Sequence, residues 1–311
     1  MPWWVFVLVG NFLIAVALLV DKMLLGEPEV NPRRYTMLAA ISGIFGIVLL
    51  PLALFPGEAF TLVVPSFKLL AMACASAIAF FTGLYFFYVA IQRSEASRTG
   101  PVVGALNAVF TVVLAVLFLG DQFNFQVVSG IGFLLVGGIL LAVRKVAWAE
   151  LGANARHLLF AGFCFAMSSI ILKQIFLTTS FLTGQLLVGA ATFLIGVWLL
   201  LTSPRDGSVS IRSSMRNQFS ASRATVALFA FGKSSGAIGG VLISFAISSA
   251  SVALVTASSG VQYAFVFLLA VLLSVRFPRF LKEDLSGTSI AVKLAGVMLV
   301  GVGIAFVAHR V

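Results

Sequence analysis

The sequence predicts an all-α integral membrane protein with ten transmembrane helices arranged as two inverted five-helix repeats, and three observations carry that prediction. Of its 311 residues 61% are hydrophobic and only 10% charged, with a mean hydropathy of +1.13, a composition that belongs in lipid. Ten apolar segments are long enough to cross about 30 Å of hydrocarbon as helices: 3–20, 36–55, 67–92, 97–119, 125–143, 157–177, 181–202, 224–248, 250–273 and 288–308. The third observation is a repeat, in which residues 88–143 are echoed by 245–307.

Tyr-Val-Ala-Ile at 88–91 answers Ser-Phe-Ala-Ile at 244–247, Leu-Ala-Val-Leu recurs at 114–117 and 269–272, and Leu-Val-Gly at 135–137 and 299–301. Toward the front of each half, Phe12, Ala15 and Lys22 fall on Phe163, Ala166 and Lys173. The halves are therefore 1–145 and 157–311, joined by a loop at 146–156. An odd number of spans per half inverts one half relative to the other, the construction of carriers that rock around a midplane site.

The first segment ends in Ala15-Val16-Ala17 like a cleavable leader, but it has no basic region before it and has a partner at 157–177, so it is read as a helix. One face carries Asn11, Ala15, Leu18 and Lys22; the sixth segment carries Gly162, Ala166, Ser169 and Lys173 in the same places. Two readings of the lysines stand: they guard a shared pathway, or they snorkel to the headgroups. A loop at 26–34 follows, and Pro51, Pro56 and Gly57 close the second helix.

The third segment sets Thr82, Tyr85, Tyr88 and Gln92 along one stripe, facing protein, a watery cavity or an interfacial belt. Pro101 suits the first turn of the fourth helix. Gly100, Gly104 and Ala108 recur every fourth residue and admit a close neighbour, beside Asn107 and Thr111. The second half offers Gln262 in the place of Asn107, with Thr256, Ser259 and Tyr263 at helical spacing. The two amides are expected to meet near the pseudo-symmetry axis. In the polar connection 203–223, Ile211, Met215 and Phe219 fit either a short surface helix or a solvated loop.

Lys233 lies about ten residues into the eighth segment, near the bilayer midplane, and the segments as bounded contain no Asp or Glu to neutralise it. An intramembrane charge points to a functional site; the expected partner is a carboxylate or phosphate of the substrate, or else backbone carbonyls. Gly232, Gly236 and Gly240 allow close packing around it.

The formal net charge of +10 is not a nucleic-acid signature, because the basic residues gather in alternate connections, from Arg33 and Arg34 to Arg276, Arg279, Lys282 and Lys293. By the positive-inside rule these odd-numbered connections are cytoplasmic and both termini lie outside. Anionic lipid headgroups are the natural partner of these arginines. Cys74 and Cys164 have neither disulfide nor metal spacing and read as small core residues. His157 and His309 sit at helix ends and no carboxylates cluster, so neither an enzyme nor a cofactor is expected. A channel would show a repeated filter or a symmetric ring.

The tight turn and fourth helix AIQRSEASRTGPVVGALNAVFTVVLAVLFLGDQF with Asp121 behind it, the fifth helix SGIGFLLVGGILL and the second copy at 246–307 resemble the drug/metabolite transporter superfamily, specifically its ten-helix EamA-like members. The stretch VRFPRFLKEDLSGTS at 275–289 departs from the short acidic turn usual there. The resemblance implies a central cavity lined by the first, third and fourth helices of each half, export or exchange of small metabolites such as amino acids, and cytoplasmic termini, against the charge count. The expected protein is thus a multi-pass secondary transporter of the cell's inner (plasma) membrane, working by alternating access. Its expected partners are the lipid bilayer and a small-molecule substrate bearing a carboxylate or phosphate, with a multidrug-type exporter as the alternative; the chain itself fits either a monomer or a homodimer. Lys233, Asn107, Gln262, Tyr263, Tyr85, Tyr88, Asn11 and Ser259 are the expected substrate-binding residues.

Overall fold

In the computed structural model, which describes residues 2–25, 31–93, 96–142, 147–202, 223–276 and 287–308, the described residues form helices joined by short connections, with no strand among them. The helices are α1 (Trp3–Leu25), α2 (Pro32–Ile41, continuing as a 3-10 helix over Ser42–Leu54), α3 (Phe67–Arg93), α4 (Ala96–Leu114, ending in a π turn at Ala115–Leu119) and α5 (Phe125–Ala142). The second half supplies α6 (Ala147–Thr178), α7 (Phe181–Thr202), α8 (Arg223–Ser249), α9 (Val252–Ala257), α10 (Gly260–Arg276) and α11 (Gly287–Ala308). Counting α9 and α10 as one broken span, each expected segment is present.

Eight of these helices are long and apolar enough, over the described residues, to cross a membrane; Phe125–Leu140 is a shorter apolar helix, and α11 runs for 22 residues. Large apolar side chains such as Leu54, Val64, Phe67 and Phe125 point outward, as a lipid-solvated bundle requires, since lipid provides no hydrophobic force for burying them.

Several boundaries differ from expectation for local reasons. The sixth helix starts at Ala147 instead of 157, because AWAELGANAR is rich in helix formers and has no proline to stop it. Most of the stretch expected as a loop between the halves is therefore helical. The ninth span breaks at Ser258 and Ser259, where turn bonds such as Ser259 N–H to the Thr256 carbonyl replace the regular ladder. Pro101 falls inside α4, beyond its first turn. Gly120 closes the fourth span in the left-handed region at φ 70°, open to glycine at no steric cost. The segment 203–222, with Ile211, Met215 and Phe219, lies outside the described residues, as do 277–286 and His309.

Two helix pairs pack with particular closeness. In α1 against α8, a methyl group at Gly239 would stand 2.8 Å from the Gly10 carbonyl oxygen, so the backbones lie almost in contact there, and one at Gly232 would stand 2.6 Å from the Val20 side chain. Ser235 on α8 donates to the Leu13 carbonyl at 2.9 Å. In α3 against α6, Ser76 and Ser168 each donate to the other's carbonyl, at 3.2 and 3.0 Å. Helix α5 packs on α11, where Gly137 meets the backbone of Gly296, and α2 packs on α7 through Gly43 and Gly189.

Candidate functional site

Four helices bring one charged cluster together. Asp21 sits in the last turns of α1, Tyr35 in the first turn of α2, Tyr88 five residues before the end of α3 and Lys233 ten residues into α8. The first three positions lie near helix ends joined by odd-numbered connections, and Lys233 reaches deeper.

The Lys233 ammonium is 2.7 Å from Asp21 Oδ1 and donates to the Tyr88 hydroxyl oxygen at 3.1 Å. That hydroxyl donates in turn to Asp21 Oδ2 at 2.9 Å, and the Tyr35 hydroxyl donates to Oδ1. The ammonium also lies 4.4 Å from the Tyr35 ring centroid, 5.4 Å from that of Tyr88 and 5.6 Å from that of Phe229. Edge-on contacts of Tyr35 with Tyr88 and with Phe229 hold the aromatic wall in place. The two charged side chains are only 11% and 10% exposed.

The pair therefore stands largely out of water, where desolvation opposes ionisation and each remaining polar valence must be filled. Both are provided for: the carboxylate accepts three bonds, and the ammonium has two oxygen acceptors and a ring face. This corrects the expectation that Lys233 has no acidic partner. Helix α1 runs on to Leu25, so Asp21 lies within the helix and not beyond its end.

A second polar junction occupies the opposite end. Lys173 near the end of α6 donates to the carbonyls of Ile247, Ser248 and Ala250 at 2.9, 3.4 and 2.8 Å, filling acceptors that the end of α8 leaves open. Beside it Ser251 donates to Asp121 Oδ2 at 2.8 Å. Lys173 is thus bound to protein instead of snorkelling. Together the two junctions fasten the α3–α6 pair to the α1–α8 pair, through Tyr88 at one end and Lys173 at the other.

The remaining expected binding residues are distributed along the bundle. Asn11 is buried and donates to the Ser258 carbonyl at 3.4 Å, at the α9–α10 break. Ser259 lies in that break and Gln262 in the first turn of α10, both half-buried. Tyr263 is buried with its ring over Gly100 and Gly104, where a side chain at Gly104 would overlap its hydroxyl. The small-residue stripe thus receives a tyrosine. Asn107 accepts from Thr111 at 3.3 Å and its backbone lies against Gly162 of α6, so its bonds do not join it to Gln262. Tyr85 is 37% exposed, edge-on to Phe86 and outside the cluster. Of the eight, the charged cluster unites Lys233 and Tyr88, while Asp21, Tyr35 and Phe229 are members that the sequence reading passed over.

Among the described residues no group of three His, Cys, Asp or Glu is placed to hold a metal ion. Cys164 is buried, Cys74 is exposed and both are free, which corrects the reading of Cys74 as a core residue. His157 lies within α6 with its ring near Phe86 and its Nδ1 buried without a partner.

Comparison with known proteins finds two likenesses. Residues 1–143 match the model of the EamA-like transporter family. The likeness to the drug/metabolite transporter superfamily read from the sequence is thereby shown over the first half of the chain, and this match together with the apolar helices supports an integral multi-pass membrane protein. The matched half contains Asp21, Tyr35 and Tyr88, and Lys233 comes from the other. A crystal structure of another protein, 15% identical, covers 96% of this chain and 97% of its own with a TM-score of 0.61. At that identity the likeness shows the fold, and it extends across both halves. No curated protein matches the chain.

Proposed function

We propose that this EamA-like protein is a secondary transporter of the inner (plasma) membrane that exports or exchanges a small metabolite carrying a carboxylate or phosphate, by alternating access between two inverted halves. The observation that carries the reading is the Lys233–Asp21 pair, which joins a helix of each half among three aromatic rings. In this reading the Lys233 ammonium receives the substrate's anionic group. Asp21 holds that place in the empty carrier and, once displaced, keeps its two tyrosine donors.

Support for inverted halves comes from the packing. Exchanging each helix with its repeat partner turns the α1–α8 contact into α6–α3, and both are intimate. It turns α5–α11 into itself, as a two-fold axis in the membrane plane requires.

Counterflow into proteoliposomes tests the function. Vesicles preloaded with unlabelled alanine, glutamate or glucose 6-phosphate are expected to accumulate the same labelled compound transiently for at least one of these classes, and Lys233→Gln to abolish that uptake. Uptake unaltered by Lys233→Gln would remove Lys233 from the transport site. A second reading has one observation in its favour: a buried carboxylate walled by Tyr35, Tyr88 and Phe229 suits a lipophilic cation. Under it Asp21 is the anchor and the protein is a multidrug-type exporter.

A further inference from the structure

We infer that the empty carrier returns across the membrane unloaded, because Asp21 stands in for the substrate's anion on Lys233, so that the protein supports net movement of its substrate and is not confined to one-for-one exchange. The inference rests on the carrier reading given above and adds to it the mode of transport.

The argument starts from what an empty site costs. When both ends of a carrier are shut, any unbalanced charge inside is cut off from water and faces a penalty of several kcal/mol, on the order of the whole barrier to reorientation. A site with a lone ammonium would be trapped at whichever face let it remain hydrated, and only a bound anion would release it. That is obligatory exchange. Here the ammonium is already balanced: Asp21 is 2.7 Å away, and Tyr35 and Tyr88 fill the other carboxylate valences.

The location of the pair is the second observation. Asp21 and Lys233 belong to α1 and α8, whose backbones meet at Gly10 and Gly239, with the Val20 side chain packed against Gly232, and which Ser235 ties through the Leu13 carbonyl. Helices packed this closely move as one body. The ion pair is thus internal to that body and persists while an end opens. Tyr88 belongs to the α3–α6 pair, so its bonds to Asp21 and Lys233 are the ones that cross the moving seam. Neutrality of the empty site does not depend on which end is open.

A reporter one turn before Asp21 tests this without knowledge of the substrate. Leu18 is buried and its side chain approaches Gly100 of α4; Leu18→Cys, with Cys74 and Cys164 replaced by serine, is reached by a membrane-impermeant maleimide only when an end opens. Alkylation is timed in right-side-out and in inverted vesicles, without added ligand. The expected result is labelling from both faces. Adding Asp21→Asn is expected to slow labelling from one face about 100-fold, and the neutral double variant Asp21→Asn with Lys233→Gln to restore it to within about threefold. Lys233→Gln alone unbalances the site in the other direction and serves if the asparagine variant does not fold.

Labelling from a single face without Asp21→Asn would mean that the empty carrier does not return, overturning the inference while leaving the carrier intact. Unslowed labelling of both unbalanced variants, or a double variant as slow as the single ones, would overturn it too, since charge would then not govern the step. Labelling from neither face would remove the carrier reading itself.

Discussion

Removing one partner of the Asp21–Lys233 pair should destabilise the protein far more than removing both. The pair is 2.7 Å apart, and at an effective dielectric of about 20 its attraction is about 6 kcal/mol. Desolvation of two ions, at several kcal/mol each, consumes most or all of that. The intact pair is therefore close to neutral in net stability. Deleting one member leaves the other charge buried beside aromatic rings, and the expected cost is about 3–5 kcal/mol for Asp21→Asn or for Lys233→Gln. The double variant should lie within about 1.5 kcal/mol of the wild type, giving a coupling of more than about 3 kcal/mol. Equilibrium unfolding in mixed micelles, followed by far-ultraviolet circular dichroism over the four proteins of the cycle, measures it. Additive losses, with the double variant the least stable of the four, would refute the argument, because they would mean the two side chains contribute independently.

Other consequences follow from the same geometry. Tyr88→Phe removes the donor to Asp21 Oδ2 and the acceptor of a Lys233 bond, and should lower unfolding stability by about 2 kcal/mol, while a phenylalanine at 35 keeps the ring under the ammonium and costs less. Lys173→Met uncovers three carbonyls around the end of α8; a loss of about 2 kcal/mol is expected, with faster amide exchange confined to 246–251. Gly104→Leu collides with Tyr263 and should cost at least about 2 kcal/mol, most of it regained by adding Tyr263→Ala, whereas the same substitution at Gly132, with open space around it, should be nearly silent.

What was legible in the sequence followed from local signals. Composition marks the solvent, and the repeat places helices because the same small and apolar residues recur in both halves. Gly100 and Gly104 announced a close neighbour, and Tyr263 occupies that place. Lys233 stood out because a lysine ten residues into an apolar helix has few innocuous explanations. Its partner did not, because Asp21 and Lys22 end the apolar run and so mark an apparent helix boundary. The pairing spans 212 positions, and only the packing of α1 on α8 reveals it. Length was the usable clue: an apolar helix ended at Val20 leaves little margin for crossing hydrocarbon, and one more turn takes in Asp21. Tyr35 was hidden for a similar reason, as part of a polar start to α2. The break at Ser258 and Ser259 carries no proline and only Gly260 beside it, so nothing local marked it.

The central claim, that the Lys233 ammonium meets an anionic group of the substrate, is tested most directly by ligand-dependent thermal stability. Purified wild type and Lys233→Gln are heated with inorganic phosphate, acetate, glycine, glucose and tetraphenylphosphonium in turn, since a ligand that binds the folded state at about a hundred times its Kd stabilises by about 2.7 kcal/mol. The account predicts that phosphate, acetate or glycine raises the midpoint of the wild type and that Lys233→Gln loses the response. Stabilisation by tetraphenylphosphonium alone, or an anion response that survives Lys233→Gln, would contradict it.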